Sequence, residues 1–169
     1  MWRRAVFGLV LFGLVSALIL HLLNQGKPQP WIAQRQTQQL RKIVPELQEF
    51  RLQHFYWKTG GRHLHYARGE YADPDSTWAR RAPTQAKPFD EQAERDYRRV
   101  VGLLGDTGVA VSGLSLDSGH WEFHLDRGAF TRVSYILDPG YRQLPLDQGT
   151  EMRYEAIDSD WYLLDEDFN

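Results

Sequence analysis

The residues best suited to chemistry in this sequence are histidines that alternate along two short segments. His63 and His65 stand two positions apart, and His120, Glu122 and His124 repeat that spacing. Because neighbouring side chains of a strand point to opposite faces, each set would share one face of a sheet. Imidazole and carboxylate groups are ligands for zinc and other divalent transition metals. If the two strands were neighbours, these five residues would form the metal site of a metal-dependent enzyme.

The alternative is that these histidines are the polar side chains of half-buried strands. Trp121, Phe123 and Leu125 supply the apolar positions between them, as such a strand requires. The helical His-Glu-x-x-His motif is absent, and the chain has no Cys, which excludes thiolate ligands and thiol nucleophiles. It also lacks the Gly-x-Ser-x-Gly motif of serine hydrolases. We therefore predict no catalytic residue, no metal and no cofactor, and the balance of these features favours a binding protein over an enzyme.

A second candidate is an acidic segment near the C-terminus. Residues 27–99 carry 14 Lys and Arg against 9 Asp and Glu, a net charge of +5, whereas residues 100–169 carry 4 against 13, a net charge of −9. Charge complementarity steers association between proteins, so this half is predicted to dock a basic protein partner. The alternative is a solvated acidic edge. The predicted contacts are Asp158, Asp160, Asp165, Glu166 and Asp167.

Nucleic acid is excluded as a partner, because the chain is not basic overall and phosphate backbones are bound by clustered Lys and Arg. Calcium is not expected at the acidic segment either, because no loop offers six to eight oxygen ligands at the required spacing.

An uncharged stretch from Ala5 to Leu23 follows Arg3 and Arg4. A helix of that length spans roughly 28 Å, close to the hydrocarbon thickness of a bilayer. The positive-inside rule then predicts cytoplasmic residues 1–4, a transmembrane helix over residues 5–23 in the lipid bilayer, a linker over residues 24–30 and an extracytoplasmic domain over residues 31–169. That domain would be periplasmic in a Gram-negative cell. The alternative is a signal peptide cleaved after Ala17.

Two helices are expected at the start of the domain. Leu40, Ile43 and Leu47 recur at helical spacing, and Pro45 either kinks this helix or opens a second one. Asp90 is the expected N-cap of a further amphipathic helix.

Strands are predicted for most of the remaining sequence, whereas residues 55–57 are expected to close the first helical segment, residues 71–88 to form a loop and residues 165–167 an acidic tail. Short connections favour antiparallel pairing of successive strands. The predicted fold class is α+β, with an N-terminal transmembrane helix followed by amphipathic helices packed on a four- to five-stranded antiparallel sheet. The predicted strands are residues 109–117, 120–126, 130–137, 151–157 and 161–164, and residues 62–68 are a candidate for a further, first strand.

Together these features favour a membrane-anchored extracytoplasmic binding module, such as an inhibitor or immunity-type protein that docks a cationic partner through its acidic half. The first alternative is a structural subunit of an envelope assembly or secretion complex. The second alternative is a histidine-rich, metal-dependent enzyme.

Overall fold

The computed structural model describes residues 28–57, 60–81, 86–117, 119–125, 131–138 and 152–167 of the 169-residue chain. The helices in these ranges are α1 (Pro30–Glu49), α2 (Thr77–Arg81) and α3 (Glu91–Asp106). The strands are β1 (His54–Tyr56), β2 (His63–Tyr66), β3 (Gly69–Ala72), β4 (Val111–Asp117), β5 (His120–Leu125), β6 (Thr131–Leu137), β7 (Met152–Ala156) and β8 (Trp161–Asp167).

The eight strands form one sheet in the order β3-β2-β1-β4-β5-β6-β8-β7, and every neighbouring pair is antiparallel. Most of the pairs join strands that are close in sequence. The exception is β1 with β4, where His54 lies opposite Ser115 although α2 and α3 come between them in the chain.

The first helix, α1, begins at Pro30, whose fixed φ suits the first helical turn and whose missing N–H is not needed there. Its apolar positions recur every three or four residues, and Leu40, Ile43 and Leu47 are buried. Pro45 lies inside the helix, which continues to Glu49. Of the two outcomes considered for Pro45, one uninterrupted helix is therefore observed.

The helix α3 is the longer of the two helices that lie between β3 and β4 in the chain, and it starts where the sequence predicts. The Asp90 carboxylate accepts a hydrogen bond from the Ala93 backbone N–H at 2.7 Å, so Asp90 is the N-cap. At the other end the Thr107 hydroxyl donates to the Leu104 carbonyl at 2.6 Å, and Gly108 takes a φ of 66° that ends the helix.

The hydrophobic core lies between one face of the sheet and the buried sides of α1 and α3. One row of the register crosses six strands on this face, and every side chain in it is at most 4% exposed. We call it the core face. The row runs Leu64, Phe55, Leu114, Phe123, Tyr135, Leu163.

One side chain ties the β2 end of the sheet to α3. The Arg62 guanidinium donates to the carboxylates of Asp73 and Glu94 at 2.7 to 3.1 Å. It also lies over the rings of Phe89 and Tyr97, at 4.7 and 5.4 Å from their centroids. Hydrogen bonds from Arg62 keep the pKa of Asp73 below its usual value despite partial burial.

The predicted fold class is wrong. The sheet has eight antiparallel strands, where four to five were predicted. The sequence assigned β1 to a helix end and placed the end of β3 in a loop, and β2, the candidate first strand, joins the same sheet as the later strands. The predicted class also counted a transmembrane helix. None of the helices in the described ranges is long and apolar enough to cross a membrane. The predicted span, residues 5–23, lies outside those ranges.

Three local assignments are corrected as well. Residues 54–56 form β1 and do not close α1, since Leu52 and Gln53 have already left the helix. The predicted loop over residues 71–88 contains the end of β3 and the short helix α2. The acidic residues 165–167 belong to β8, where they pair with β6, and do not form a tail.

The N-cap of α3 makes a testable contribution to stability. Replacing Asp90 with Ala removes the acceptor of the Ala93 N–H and is expected to lower the free energy of unfolding by about 1 kcal/mol. Chemical denaturation followed by circular dichroism measures the change. Asp90→Asn retains a capping oxygen and should cost little. Equal losses for both variants would contradict the capping role.

Candidate functional site

All five predicted metal-ligand candidates lie on one face of the sheet, opposite the core face. The register places His63 in one row with His124, and His65 in the next row with Glu122. However, β1 and β4 lie between β2 and β5, so the two sets are about 14 Å apart at the usual strand spacing. Within the described ranges, no three His, Cys, Asp or Glu side chains are grouped to hold a metal ion. The five candidates therefore do not form one ligand set.

The space between the two sets is filled by aromatic rings. Tyr56 of β1 lies between His63 and His124, with ring centroids 6.2 and 5.5 Å away. Trp78 of α2 stacks on His63 at 4.7 Å and on Tyr56 at 4.9 Å. We call these four side chains the ring stack, and it connects α2 to the three strands β1, β2 and β5 and crosses over β4.

The ring stack depends on a glycine. Gly113 of β4 lies directly opposite Tyr56 in the register. A Cβ at position 113 would be 2.4 Å from the Tyr56 ring and 2.9 Å from the carbonyl oxygen of Phe55. The missing side chain lets the Tyr56 ring lie across β4, where its hydroxyl reaches Nε2 of His124 at 3.2 Å.

A chain of polar groups continues from Tyr56. Nδ1 of His124 lies 3.2 Å from the Glu122 carboxylate and 3.3 Å from the Ser134 hydroxyl. Because a carboxylate only accepts, it favours the tautomer with the proton on Nδ1, and in that tautomer Nε2 accepts from the Tyr56 hydroxyl. The Ser115 hydroxyl is 3.5 Å from the same Nε2. Burial disfavours ionised Glu122, but hydrogen bonds from His124 and Ser134 outweigh it and lower the Glu122 pKa.

His63 is held in a similar way on the other side of Tyr56. Its Nε2 donates to the Glu70 carboxylate at 2.9 Å, and its side chain is almost fully buried. Burial lowers the pKa of His63, an effect that Glu70 only partly offsets. Burial and the nearby His65 lower the pKa of His54. Both imidazoles are therefore stable in the fold as neutral rings.

The acidic residues predicted to dock a partner are not brought together in one patch. Asp158 and Asp160 lie in the turn between β7 and β8. Asp165 and Glu166 lie roughly 17 Å further along β8, at 3.3 Å per residue, and point to opposite faces. Glu166 is buried and pairs with Arg132 at 3.4 Å. Asp167 pairs with Thr131 in the register.

Two of these acidic residues hold α1 in place. The Arg41 guanidinium donates two hydrogen bonds of 2.7 Å to the Asp160 carboxylate and lies 3.6 Å from Asp158. This bidentate pair lowers the Asp160 pKa to about 2, even though partial burial opposes the shift. Asp158 also accepts the backbone N–H groups of Asp160 and Trp161. Within the described ranges these carboxylates stabilise the fold.

An exposed apolar surface lies at the start of α1. Trp31 is 62% exposed, and it is the large apolar side chain that the described part of the chain leaves in solvent. Its indole N–H donates to the Gln29 side chain at 2.8 Å. Two pockets meet at Trp31, and we call Trp31 with these two pockets the Trp31 surface. One pocket faces β7 and β8, and the other faces the turn after α3.

The first pocket has a volume of about 200 Å³ and is enclosed mainly by apolar groups. Its lining residues include Pro28, Pro30, Ala156, Ile157 and Leu163. The second pocket, about 400 Å³, is more polar and includes Arg35, Gln36 and Gln39.

Sequence reasoning named His63 and His124 but missed Tyr56 and Trp78 of the ring stack, and it missed the Trp31 surface. His54 and Tyr56 have the same two-residue spacing as His63 and His65, and this alternation could have identified β1. For Trp31 the signal is helical phase. At 100° per residue, Trp31 lies on the opposite side of α1 from the buried Leu40.

Adding a methyl group at Gly113 tests the packing of the ring stack. Gly113→Ala forces the Tyr56 ring and the β1 backbone to move and is expected to destabilise the fold by about 1–3 kcal/mol. Gly102→Ala is the matched control, because no atom lies within 4 Å of its added Cβ. On α3 that change should raise stability by roughly 0.5–1 kcal/mol. Thermal denaturation measures the stability of each variant. Equal changes in stability for Gly113→Ala and Gly102→Ala would contradict the packing of Tyr56 over Gly113.

The buried imidazoles predict a loss of stability in mild acid. Folding lowers the pKa of His54 and His63, so the unfolded chain binds more protons, and stability falls as the pH drops below about 6.5. We expect a lower melting temperature at pH 5.5 than at pH 7.5.

The variant His63→Gln tests whether His63 causes this loss of stability in acid. His63→Gln retains a donor for Glu70 but does not titrate, so its melting temperature should depend less on pH over this range. A variant with the same pH dependence as the parent protein would exclude His63 as the source.

Comparison with known proteins gives no family for this chain. No protein-family model, no curated protein and no solved structure matches it.

Proposed function

We propose that this protein is a binding module that holds a partner protein through the Trp31 surface. The observation that carries the proposal is the 62% exposure of Trp31 at the meeting point of two pockets. Folded proteins bury most of their Trp side chains, and Trp121 and Trp161 of this chain are at most 2% exposed. An exposed Trp between pockets is typical of an interface residue.

The size of the first pocket fits an apolar side chain of a partner. An apolar cavity of about 150 Å³ accommodates a benzene molecule. The pocket between α1 and β7, at about 200 Å³, is large enough for one aromatic or branched aliphatic side chain. Such a side chain would contact Trp31 on one side and Leu163 on the other.

The charged residues that line the pockets also restrict which partner can bind. Glu155 lines the first pocket and Arg35 lines the second. A partner with an apolar anchor and a basic group beside it would match the first pocket. A basic partner docked by Asp158, Asp160, Asp165, Glu166 and Asp167 stays a prediction, and the Arg41 pair gives two of these residues a separate role in the fold.

A structural-subunit role also stays a prediction. It differs from the proposed function in the number of partners, since a subunit of an assembly contacts several proteins at once, whereas a binding module holds one.

Truncating Trp31 tests the proposal. Trp31→Ala removes the exposed ring and is expected to weaken binding of the partner by at least about 2 kcal/mol, or roughly 30-fold in Kd. The full chain is isolated from its native cells in mild detergent, because it includes the apolar stretch over residues 5–23. Accompanying proteins are quantified by mass spectrometry, and the affinity of the stoichiometric one is then measured with purified components.

Gln38→Ala is the matched control, since Gln38 is exposed seven residues further along α1 and lines neither pocket. A partner lost with Trp31→Ala and kept with Gln38→Ala supports the proposal. A partner retained equally by both variants contradicts it.

A further inference from the structure

The two edges of the sheet differ in whether their outward backbone groups are paired. At the β3 edge, Lys87 forms a parallel bridge with Tyr71, and its backbone bonds to Glu70 and Ala72 at 2.9 Å. At the other edge, β7 pairs with β8 and, in the part of the chain described, with no further strand. An open edge presents unpaired N–H and C=O groups that can bind another strand.

The register shows which backbone groups of β7 face outward. Ile157 donates its N–H to the Trp161 carbonyl at 2.9 Å, so this pair is hydrogen-bonded. Hydrogen-bonded and non-hydrogen-bonded pairs alternate along an antiparallel ladder. Arg153 and Glu155 therefore direct their backbone groups toward β8. Met152, Tyr154 and Ala156 direct theirs outward.

The sequence of β7 is complementary to itself. If two copies of β7 pair antiparallel about Tyr154, each Arg153 lies opposite Glu155 of the second copy, and each Met152 lies opposite Ala156. The outward groups of Tyr154 then meet in a hydrogen-bonded pair. Arg153 and Glu155 fall in the non-hydrogen-bonded pairs, where side chains are closest and opposite charges attract.

The side chains needed for this pairing are accessible. Arg153, Glu155 and Ala156 are exposed in the monomer. No ion pair or hydrogen bond engages the Arg153 or Glu155 side chain within the described ranges.

We infer that β7 is the contact strand of a homodimer, in which two copies pair this strand antiparallel about a two-fold axis at Tyr154. The two sheets then become one continuous sheet. Symmetric pairing closes on itself and leaves no free β7 edge, which prevents further growth. This inference goes beyond the proposed function, because the Trp31 ring takes no part in the pairing, although Glu155 and Ala156 of β7 also line the first pocket.

Charge exchange tests the register. The mass of the full chain is measured by sedimentation equilibrium in density-matched detergent over a range of protein concentrations. Arg153→Glu and Glu155→Arg each place like charges opposite one another and should weaken dimerisation at least tenfold. The double variant exchanges the two charges and should restore it. Single variants that dimerise like the parent chain, or a monomer at every concentration, would overturn the inference.

Disulfide trapping tests the two-fold axis independently of affinity. The chain has no Cys, so an introduced one reacts alone. Tyr154→Cys places two Cα atoms about 5.5 Å apart across the axis, within disulfide range, and should cross-link on mild oxidation. Glu155→Cys places them about 8 Å apart and should not. Cross-linking of Glu155→Cys alone would overturn the register.

One further variant separates this inference from the proposed function. Trp31→Ala should dimerise like the parent chain even where it loses the partner protein. Loss of dimerisation in Trp31→Ala would show that self-association needs the Trp31 ring and would contradict pairing through the β7 edge alone.

Discussion

An eight-stranded sheet has two broad faces, and the amphipathic helices α1 and α3 bury only one of them. On the core face, apolar residues in register pack against these helices. The row from Leu64 to Leu163 forms the centre of this face. The opposite face carries His, Tyr, Ser and Glu. A buried polar group is costly unless it is hydrogen-bonded. Much of the remaining structure follows from that requirement.

The ring stack and the chain of polar groups meet most of this requirement. Within the described ranges, Nδ1 of His63 is buried without a hydrogen-bond partner, and one buried carboxylate oxygen of Glu122 has none beyond its 3.2 Å contact with Nδ1 of His124. Stacking places apolar ring surfaces against one another, and the ring edges bear the donors and acceptors that reach Glu70, Glu122 and Ser134. The arrangement uses His63 as a neutral ring, which is the form that burial favours by lowering its pKa. Gly113 is equally necessary, since a side chain there would push Tyr56 away from His124.

The sequence was most informative where local rules act alone. The cap at Asp90 and the alternation of residues 120–125 were predicted and are confirmed. The order of the strands was not predictable in this way, because it depends on β1, a strand of three residues that directly follows a helix and continues its apolar pattern. Missing β1 hid Tyr56 and left the distance between the two histidine sets undetermined. Likewise, the sequence showed that Asp158 and Asp160 are acidic but could not show that Arg41, more than a hundred residues earlier, neutralises them.

The junction between β1 and β4 has a consequence for how the chain folds. On either side of it, strands pair with partners nearby in sequence, whereas His54 must find Ser115 some sixty residues away. Closing so long a loop costs entropy that only the completed junction repays. The local hairpins can therefore form early, as two half-sheets. The two halves are joined in sequence by a segment that includes α3, so they can pair only when that segment has closed. The union also seats Tyr56 over Gly113, so completion of the polar face depends on the pairing of β1 with β4.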